Sequence, residues 1–305
     1  MISVCIPSYN GAPYIRDAIE SVLVQNCPDV EIVICDDQSD DNSWEIICSY
    51  ADCRIKAFKN ETNLGMVGNF REVLRKASGE YVILLNCDDT LYNDSLNKMA
   101  TTLDDNPECS FVFGNIKYIG ERSGQTNFNF GKILKPGEWV NASLQEGGNK
   151  SFQCGTLFRK PAEAPDLIIV DLVFFDWYLW LRLGQSKVAF LNEIVGCYRY
   201  HKSNQTNIKV PGYLNNYLGL RQVLTLSFHN GIINNKQLIK GINNLTVKYA
   251  RNYFVEQGEG KVKIANAIKS GMRFCINYGF RRNCIIVRFL LISIKVFLYR
   301  NLSRI

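Results

Sequence analysis

The chain has 305 residues, of which 47% are hydrophobic, and its formal net charge at pH 7 is +6. This length can bury a full core, as one large domain or as one domain with an appendage. Because residues 261–305 contain ten Lys or Arg and no Asp or Glu, the charge pattern predicts a tail on an anionic surface and excludes nucleic acid wrapped by the whole protein.

Eleven cysteines are present, but no C-x-x-C motif occurs. Cys5, Cys35 and Cys87 lie inside or at the end of apolar runs, which is typical of small core residues in a reducing compartment. The chain begins directly with an apolar strand, ISVCIP, without a signal peptide. A cytoplasmic protein is therefore expected.

Apolar strands alternate with amphipathic helices over the first 120 residues. This alternation predicts an α/β fold with a parallel, doubly wound sheet and right-handed crossovers. The predicted strands are Ile2–Ile6, Glu31–Cys35, Arg54–Phe58, Tyr81–Leu85 and Ser110–Tyr118, and the predicted helices are Tyr14–Gln25, Ser43–Tyr50, Val67–Ala77 and Tyr92–Asn106.

Polar clusters follow three of these strands, namely Tyr9-Asn10, Asp36-Asp37 and Asp88-Asp89. Each is also typical of a turn or a helix N-cap, but together they predict a ligand crevice at the carboxyl edge of the sheet. The first loop reads PSYNGAPY, which is neither a dinucleotide nor a Walker phosphate loop. One carboxylate on a base or ribose, and another holding a divalent ion on the phosphates, would suit such a site.

Four ordered stretches carry a resemblance to a known family: VCIPSYNGAPYIRDAIESVLVQ, EIVICDDQSDDNS, NETNLGMVGNFREVLRKASGEYVILLNCDD and FFDWYLWLRLG. They resemble the family 2 glycosyltransferases, which are inverting, nucleotide-sugar-dependent enzymes with the GT-A fold. The resemblance covers about two thirds of the chain. It implies a catalytic domain over residues 1–210, with a nucleotide-binding half (1–120) and an acceptor half (121–210).

The resemblance also implies roles for individual residues. Pro7 and Tyr9 match the loop beside the nucleobase, and Asp37 matches the carboxylate that hydrogen-bonds the base, commonly uracil. Asp88 would face the ribose and Asp89 would bind Mg²⁺ or Mn²⁺. The complete set of implied nucleotide-binding residues is Pro7, Tyr9, Asn63, Asp37, Asn86, Asp88 and Asp89.

Asn86 stands where many relatives carry a first Asp, so fewer carboxylates are expected around the metal; Mg²⁺ or Mn²⁺ tolerates this because it retains waters and phosphate oxygens. Asp176 matches the catalytic base, although a helix N-cap is the alternative, and Phe175 replaces the Glu that usually precedes it. His201, with Arg199, matches a position near the diphosphate and is a candidate metal ligand; a surface residue is the alternative.

Four further segments between residues 121 and 200 have predicted structures. Residues Glu121–Gly148 are rich in Gly, Asn and Ser and are expected to be a loop region near the acceptor. The strand-like run Phe152–Arg159 contains Gly155 and Thr156, which the resemblance places in the wall of the donor pocket; an ordinary strand turn is the alternative. Strands at Lys187–Leu191 and Ile194–Tyr200 are predicted to form a pair.

Residues 211–305 are predicted to be helical, at Tyr213–Phe228, Lys236–Val255, Lys261–Tyr278 and Arg281–Leu302. The segment 281–305 is apolar but carries Arg288 and Lys295 near its middle, which disfavours a spanning helix. It predicts an interfacial helix on the cytoplasmic face of the inner membrane; docking on protein is the alternative. A lipid-diphosphate-linked saccharide would suit such a location.

The sequence thus predicts a metal-dependent inverting glycosyltransferase of cell-surface polysaccharide synthesis, with a UDP-sugar as the favoured donor and a glycan or lipid-linked saccharide as acceptor. Asn86 and Phe175 keep open a catalytically inactive nucleotide- or sugar-binding homologue. A nucleotidyltransferase is a third possibility, but its Gly-rich loop with a basic residue does not match PSYNGAP.

Overall fold

The computed structural model describes residues 1–146, 151–168, 174–202, 204 and 211–257. The chain divides into two compact units, residues 1–141 with 149–207, and residues 142–148 with the chain from 208 onward. The two helices predicted at Lys261–Tyr278 and Arg281–Leu302 lie outside the described residues.

The first unit contains one mixed β-sheet, and its strands have the order β3-β2-β1-β4-β9-β6-β10-β5, with β7 beside β6 and β8 beside β10. The strands are β1 (Ile2–Ser8), β2 (Val30–Asp36), β3 (Ile55–Lys59), β4 (Tyr81–Leu84), β5 (Thr90–Leu91), β6 (Cys109–Gly120), β7 (Gly124–Gln125), β8 (Ile133–Leu134), β9 (Thr156–Arg159) and β10 (Lys187–Tyr200). The helices that accompany them are α1 (Ile15–Leu23), α2 (Ser43–Cys48), α3 (Gly65–Lys76), α4 (Ser95–Asp104), α5 (Glu138–Glu146) and α6 (Phe175–Leu183).

The predicted α/β fold is confirmed, and the half formed by β3, β2, β1 and β4 is parallel throughout. The other half is mixed, because β9 pairs antiparallel with both β4 and β6, while β10 pairs parallel with β6. Every residue of β1 and β2 is buried, as expected for strands covered by helices on both faces. The predicted carboxyl edge therefore exists and joins the ends of β1, β2 and β4.

The predicted loop at Glu121–Gly148 is in part wrong, since this segment contains β7, β8 and α5. Helix α5 buries Trp139, Val140 and Leu144 completely. These apolar residues are few and lie among polar ones, so the Gly- and Asn-rich composition concealed the helix. Tertiary packing, and not local propensity, determines it.

Two strand predictions also change. The run Phe152–Arg159 begins with a 3-10 turn at Gln153–Gly155 and becomes a strand only at Thr156. The pair predicted from Lys187–Leu191 and Ile194–Tyr200 is a single strand, β10, whose register against β6 shifts at Leu191/Ile194 and at Ile194/Gly196. The irregularity interrupts the apolar pattern, which explains why the sequence suggests two strands.

The cysteines behave as predicted where the structure describes them. Cys5 and Cys35 are buried and Cys87 is half-buried, and the nine described cysteines are free thiols. Burial raises the pKa of both Cys35 and Cys87 to about 12, so these thiols stay protonated and unreactive near neutral pH.

The second unit contains α7 (Pro211–His229) and α8 (Asn235–Gln257). The two helices form a hairpin whose turn passes through Gly231 at φ +69°, a conformation that favours glycine. Ile232 and Ile233 are buried beside this turn. Among the described residues, no helix has the length and apolar character needed to cross a membrane.

Glu31 is a buried carboxylate that links the amino ends of three strands. It is only 3% exposed, and it accepts hydrogen bonds from Ser3 (2.5 Å), from the Ser78 backbone N–H (2.6 Å) and from Lys56 (2.5 Å). Burial by itself raises the pKa of Glu31, but the hydrogen bonds from Lys56, Ser3 and Ser78 outweigh it and lower the pKa to about 2. The ionised Glu31 carboxylate is therefore expected to stabilise the folded state.

We expect Glu31→Gln to lower the free energy of unfolding at pH 7 by about 3 kcal/mol, because the folded-state pKa of Glu31 lies well below its unfolded value. The contribution is present above the unfolded pKa and is lost as the pH falls through the folded pKa. Urea unfolding of the wild type and of Glu31→Gln should therefore show a difference in the free energy of unfolding that narrows below about pH 4.3. Glu45→Gln, at an exposed position, is the control. A difference in the free energy of unfolding that is independent of pH would contradict this role of Glu31.

Candidate active site

The loops that follow β1 and β2 are tied to each other at the carboxyl edge of the sheet. Asn10 has φ +49°, and its side-chain oxygen accepts a 2.8 Å hydrogen bond from the Asp40 N–H. The Asn10 N–H donates to Ser39 Oγ at 3.0 Å, and the Asp37 N–H donates to the Ser8 carbonyl at 2.8 Å. The two loops therefore form one rigid rim.

Asp37 lies in this rim and is 1% exposed. Its Oδ1 accepts hydrogen bonds from Asn60 Nδ2 at 2.7 Å and from the Leu64 N–H at 2.8 Å. Asn63 Nδ2 donates to the Asp37 carbonyl at 3.0 Å, and Asn60 also bonds Asn69 Oδ1 of α3 at 3.0 Å. The start of α3 thus fixes the Asp37 carboxylate.

The predicted nucleobase residues flank the same rim. Pro7 is the penultimate residue of β1 and is buried, whereas Tyr9 is 49% exposed. An exposed phenol ring beside a fixed carboxylate is suitable for packing against a planar base.

Asp89 occupies the interior of the turn that follows β4, and it is fully buried. Its Oδ1 accepts a 2.9 Å hydrogen bond from the Arg199 N–H, and its Oδ2 accepts one from Asn86 Nδ2 at 3.0 Å. Burial, and then the neighbouring Asp88 carboxylate, raise the pKa of Asp89 above its usual range. Each oxygen thus accepts one hydrogen bond within the protein and retains a further lone pair, and the metal-ligand role that the resemblance implies for Asp89 stays a prediction.

Asp88 is the accessible carboxylate of the pair, with a side chain that is 22% exposed. Its Oδ2 lies 2.9 Å from His201 Nε2 and 3.1 Å from Asn204 Nδ2. Asn204 also donates to the Arg199 carbonyl at 3.1 Å. The structure therefore brings the predicted residues Asp88 and His201 into direct contact.

The end of β10 holds the Asn86–Asp89 turn against α1. Arg199 Nε donates to the Asp88 carbonyl at 2.9 Å, and Arg199 Nη2 donates to Asp17 Oδ2 at 2.7 Å. The Tyr14 ring lies 5.1 Å from the Arg199 guanidinium carbon and 4.8 Å from the His201 ring centroid. With its donors engaged in this way, Arg199 orients the turn.

Sequence reasoning missed several of these positioning residues. Asn60 and Asn69 lie in a stretch that carries the family resemblance, but only their contact with Asp37 shows their role. Tyr14 and Asp17 also lie in such a stretch, whereas Asn204 has no recognisable motif. All three act across the fold, so only the three-dimensional contacts identify their roles.

The donor set of this site fits a divalent metal only in part. Among the described residues, no three His, Cys, Asp or Glu side chains are grouped closely enough to hold an ion. Asp88 and His201 supply one oxygen and one nitrogen that face each other at 2.9 Å. Mg²⁺ is bound in nucleotide sites by one or two carboxylates together with phosphate oxygens and waters, and Asp88 supplies one such carboxylate.

Asp176 lies in the first turn of α6 and is half-buried. The last residue of α6, Leu183, accepts a 2.7 Å hydrogen bond from Ser110 Oγ at the start of β6. Because α6 thus ends near the amino edge of the sheet and is nine residues long, it rises about 13 Å towards the carboxyl edge. At its other end, the residue before Asp176 packs against Phe70 of α3, the helix whose start fixes the Asp37 carboxylate.

Phe175, which replaces the usual Glu, is 2% exposed. Its ring packs 4.9 Å from Phe70 of α3. A carboxylate in this apolar contact would be costly, so the departure from the family pattern has a packing explanation.

The family model described as "Glycosyl transferase family 2" matches residues 3–160. The chain belongs to glycosyltransferase family 2. It is similar to the Escherichia coli protein named UDP-Glc:alpha-D-GlcNAc-diphosphoundecaprenol beta-1,3-glucosyltransferase WfgD, with 28% identity over 207 residues, 68% of this chain and 79% of that protein. The predicted family and enzyme class are confirmed.

Solved structures confirm the GT-A fold of this glycosyltransferase. The S. aureus TarS fragment 1–349 in complex with UDP aligns with a TM-score of 0.64 at 17% identity, covering 89% of this chain and 80% of that one. The mannosyltransferase PcManGT from Pyrobaculum calidifontis, in complex with GDP-Man and Mn²⁺, aligns with a TM-score of 0.58 at 14% identity, covering 98% and 87%.

In this glycosyltransferase, Gly155 and Thr156 are closely packed. A Cβ at Gly155 would lie 2.7 Å from Ile116 Cγ2 of β6. The close packing of this turn against β6 therefore favours a glycine at position 155. Thr156 is fully buried, and its Oγ1 donates to the Phe152 carbonyl at 2.8 Å. These contacts explain both residues structurally, and their place in the donor pocket stays a prediction.

Proposed function

We propose that this glycosyltransferase moves a sugar from a nucleoside diphosphate donor, with UDP favoured, to a hydroxyl of a glycan or lipid-linked saccharide with inversion at the anomeric carbon. The observation that carries the proposal is the Asp88–His201 pair, which is accessible at the same sheet edge as the rim that fixes Asp37. A base-recognition group and a metal–phosphate pair at one edge are what a sugar nucleotide requires.

The nucleotide half of the proposal rests on the rim. Asp37 would accept a hydrogen bond from the base, Tyr9 would pack against the base, and Pro7 would shape the loop beside it. Asn63 would support this arrangement from the start of α3. UDP is favoured because WfgD is named for UDP-Glc and because the TarS complex contains UDP.

Asp88 and His201 would hold Mg²⁺ or Mn²⁺. When bound, such an ion stabilises negative charge on a leaving diphosphate. The buried Asp89 and its partner Asn86 would not contact the ion. They would act as positioning residues, by keeping the turn in the shape that exposes Asp88. We therefore assign the ligand role to Asp88 in place of Asp89.

Asp176 would remove the proton from the acceptor hydroxyl as that oxygen attacks C1 of the donor sugar. The bond from C1 to the diphosphate breaks in the same step, so one displacement inverts the configuration. The N-terminus of α6 favours the ionised carboxylate at this position, which is the form that a general base needs.

The acceptor is proposed from a relative and from the tail. WfgD is named for an acceptor linked to diphosphoundecaprenol, and residues 261–305 are basic without acidic residues. We infer a lipid-diphosphate-linked saccharide that is reached at the anionic cytoplasmic face of the inner membrane. Residues 1–210 would be the catalytic domain and residues 211–305 a helical region, in which the segment 281–305 would associate with the membrane.

The two departures that kept an inactive homologue open have structural explanations. Asn86 donates to the buried Asp89 at 3.0 Å, where an Asp would bring a second negative charge against it. Phe175 fills an apolar contact with Phe70. Neither departure removes Asp88, His201 or Asp176, so an active enzyme is favoured.

A thermal-shift panel of UDP, GDP, CMP and dTDP, each with and without Mn²⁺, tests the proposal. A ligand present at 100 times its Kd stabilises the native state by about 2.7 kcal/mol, which would raise the Tm by several degrees. We expect the largest shift with UDP, and only in the presence of Mn²⁺. A panel without any shift would contradict the proposed function.

A further inference from the structure

A cavity of about 260 Å³ lies on the first unit, between a strap that follows β6 and the irregular part of β10. Five side-chain amides line it, from Asn115, Gln125, Asn127, Asn129 and Asn192. We propose that this cavity is a subsite for one neutral sugar residue of the acceptor. That the sugar belongs to the acceptor rests on the proposed function, whereas the binding of a sugar rests on the cavity itself.

The framework of the cavity is built by Asn115, which is 6% exposed. Its Oδ1 accepts hydrogen bonds from Thr126 Oγ1 at 2.9 Å and from the Phe128 N–H at 2.8 Å. The Thr126 N–H donates to the Ile116 carbonyl at 2.9 Å. The strap of residues 125–129 is thereby held across β6 by a buried side chain.

The opposite wall arises from the register shifts in β10. Asn192 and Glu193 lie between Leu191 and Ile194, where the ladder with β6 is interrupted, and both are exposed. Extra residues of this kind re-aim side chains and are frequent beside functional sites. Here they direct Asn192 towards Asn115, whose Nδ2 lies 3.3 Å from Asn192 Oδ1.

The chemistry of the lining selects a neutral, hydroxyl-rich ligand. Each amide both donates and accepts hydrogen bonds, as each sugar hydroxyl does. Among the described lining residues none is cationic, and the only carboxylate, Glu193, is paired with Lys98 at 2.5 Å. A phosphate would meet no charged donor here, while the half-buried Phe128 ring offers an apolar surface for the carbon-bound hydrogens of a sugar.

The cavity is separate from the nucleotide edge but lies on the acceptor face. Asn115 precedes Ile119 by four residues, and Ile119 pairs with Arg199, so the cavity lies about 13 Å along the strand from the Asp88 turn. Asn115 shares its side of β6 with Phe111, which packs 5.5 Å from Trp180 of α6. This is the face covered by the helix that carries Asp176. The volume, equal to roughly nine waters at ~30 Å³ each, suits one sugar ring.

Saturation-transfer NMR on the full chain, with methyl β-D-glucopyranoside and methyl N-acetyl-β-D-glucosaminide as probes, tests the inference. UDP and Mn²⁺ at saturating concentration would keep the donor site filled. We expect at least one glycoside to bind, and Asn192→Ala and Gln125→Ala each to weaken it about three- to tenfold, the effect of one lost hydrogen bond. Asn26→Ala, at an exposed amide elsewhere, is the control and should bind as the wild type does.

Absence of binding up to the solubility of both glycosides would overturn the inference, as would equal affinity of the wild type and both cavity variants. Gln125→Ala changes an exposed side chain, so its Tm should not change, and this excludes unfolding as the cause of its weak binding. Asn192→Ala also removes the acceptor of the Asn115 amide, so its binding is measured at a temperature well below its own Tm. Loss of the UDP-dependent Tm shift with retained, variant-sensitive glycoside binding would overturn the proposed function alone and leave the sugar site standing.

Discussion

Asp88→Asn is expected to weaken Mn²⁺-dependent nucleotide binding by more than about 100-fold, since loss of a mere supporting contact at a metal site already costs 10–100-fold. The free protein should keep its Tm, because the amide oxygen of the variant side chain can still accept hydrogen bonds from His201 and Asn204. Calorimetric titration of UDP with and without Mn²⁺ measures the effect, and sugar transfer should fall with it.

Asp89→Asn is the matched comparison, because it makes the same chemical change one residue later. The new side chain would still accept a hydrogen bond from the Arg199 N–H, but its amide group would face the Asn86 amide, so a buried donor would lose its partner. We expect Asp89→Asn to lower the free energy of unfolding by about 1–3 kcal/mol, and the Tm should fall accordingly. If Asp89→Asn abolishes metal binding while Asp88→Asn retains it, the role inferred from sequence for Asp89 is right and the role assigned to Asp88 is wrong.

Asp176→Asn is expected to lower kcat for sugar transfer by about 10²–10⁴-fold, which is the usual contribution of a general base. The affinity for UDP should not change, because the nucleotide edge is built by other elements. Loss of the charge from the first turn of α6 should cost stability only a few tenths to about 1 kcal/mol. Steady-state transfer kinetics combined with UDP titration separates these quantities.

Asp166→Asn serves as the control for Asp176→Asn. Asp166 is an exposed aspartate that pairs with Arg71 at 3.0 Å, and its loss should leave transfer unchanged. Turnover by Asp176→Asn at the wild-type rate would exclude Asp176 as the base. An equal loss in both variants would point to a general effect of removing negative charge.

Much of the fold could be predicted from the sequence because its signals are local. The largely apolar sequences of β1, β2 and β4 are typical of strands buried on both faces. Helix α1 places Ile15, Ala18, Ile19 and Val22 at helical spacing, and all four are fully buried. The convergence of Asp37 and Asp88 on one edge also follows, since parallel strands end at the same side of a sheet.

The sequence predictions failed where tertiary packing, and not the local amino-acid composition, determines the secondary structure. Helix α5 lies in a Gly- and Asn-rich segment, yet Trp139 and Leu144 are completely buried. The antiparallel placement of β9 and the register shifts of β10 depend on neighbouring strands that are distant in the sequence. Local propensity cannot report such contacts.

The sequence by itself therefore determined the fold class, the family and the set of carboxylates at the candidate site. Only the tertiary structure decided which carboxylate is accessible. Asp88 and Asp89 are adjacent and chemically identical, and they differ because the Arg199 N–H and the Asn86 amide enclose Asp89, whereas Asp88 faces His201. Both Arg199 and His201 lie more than a hundred residues away in the chain, so only folding brings them to the turn.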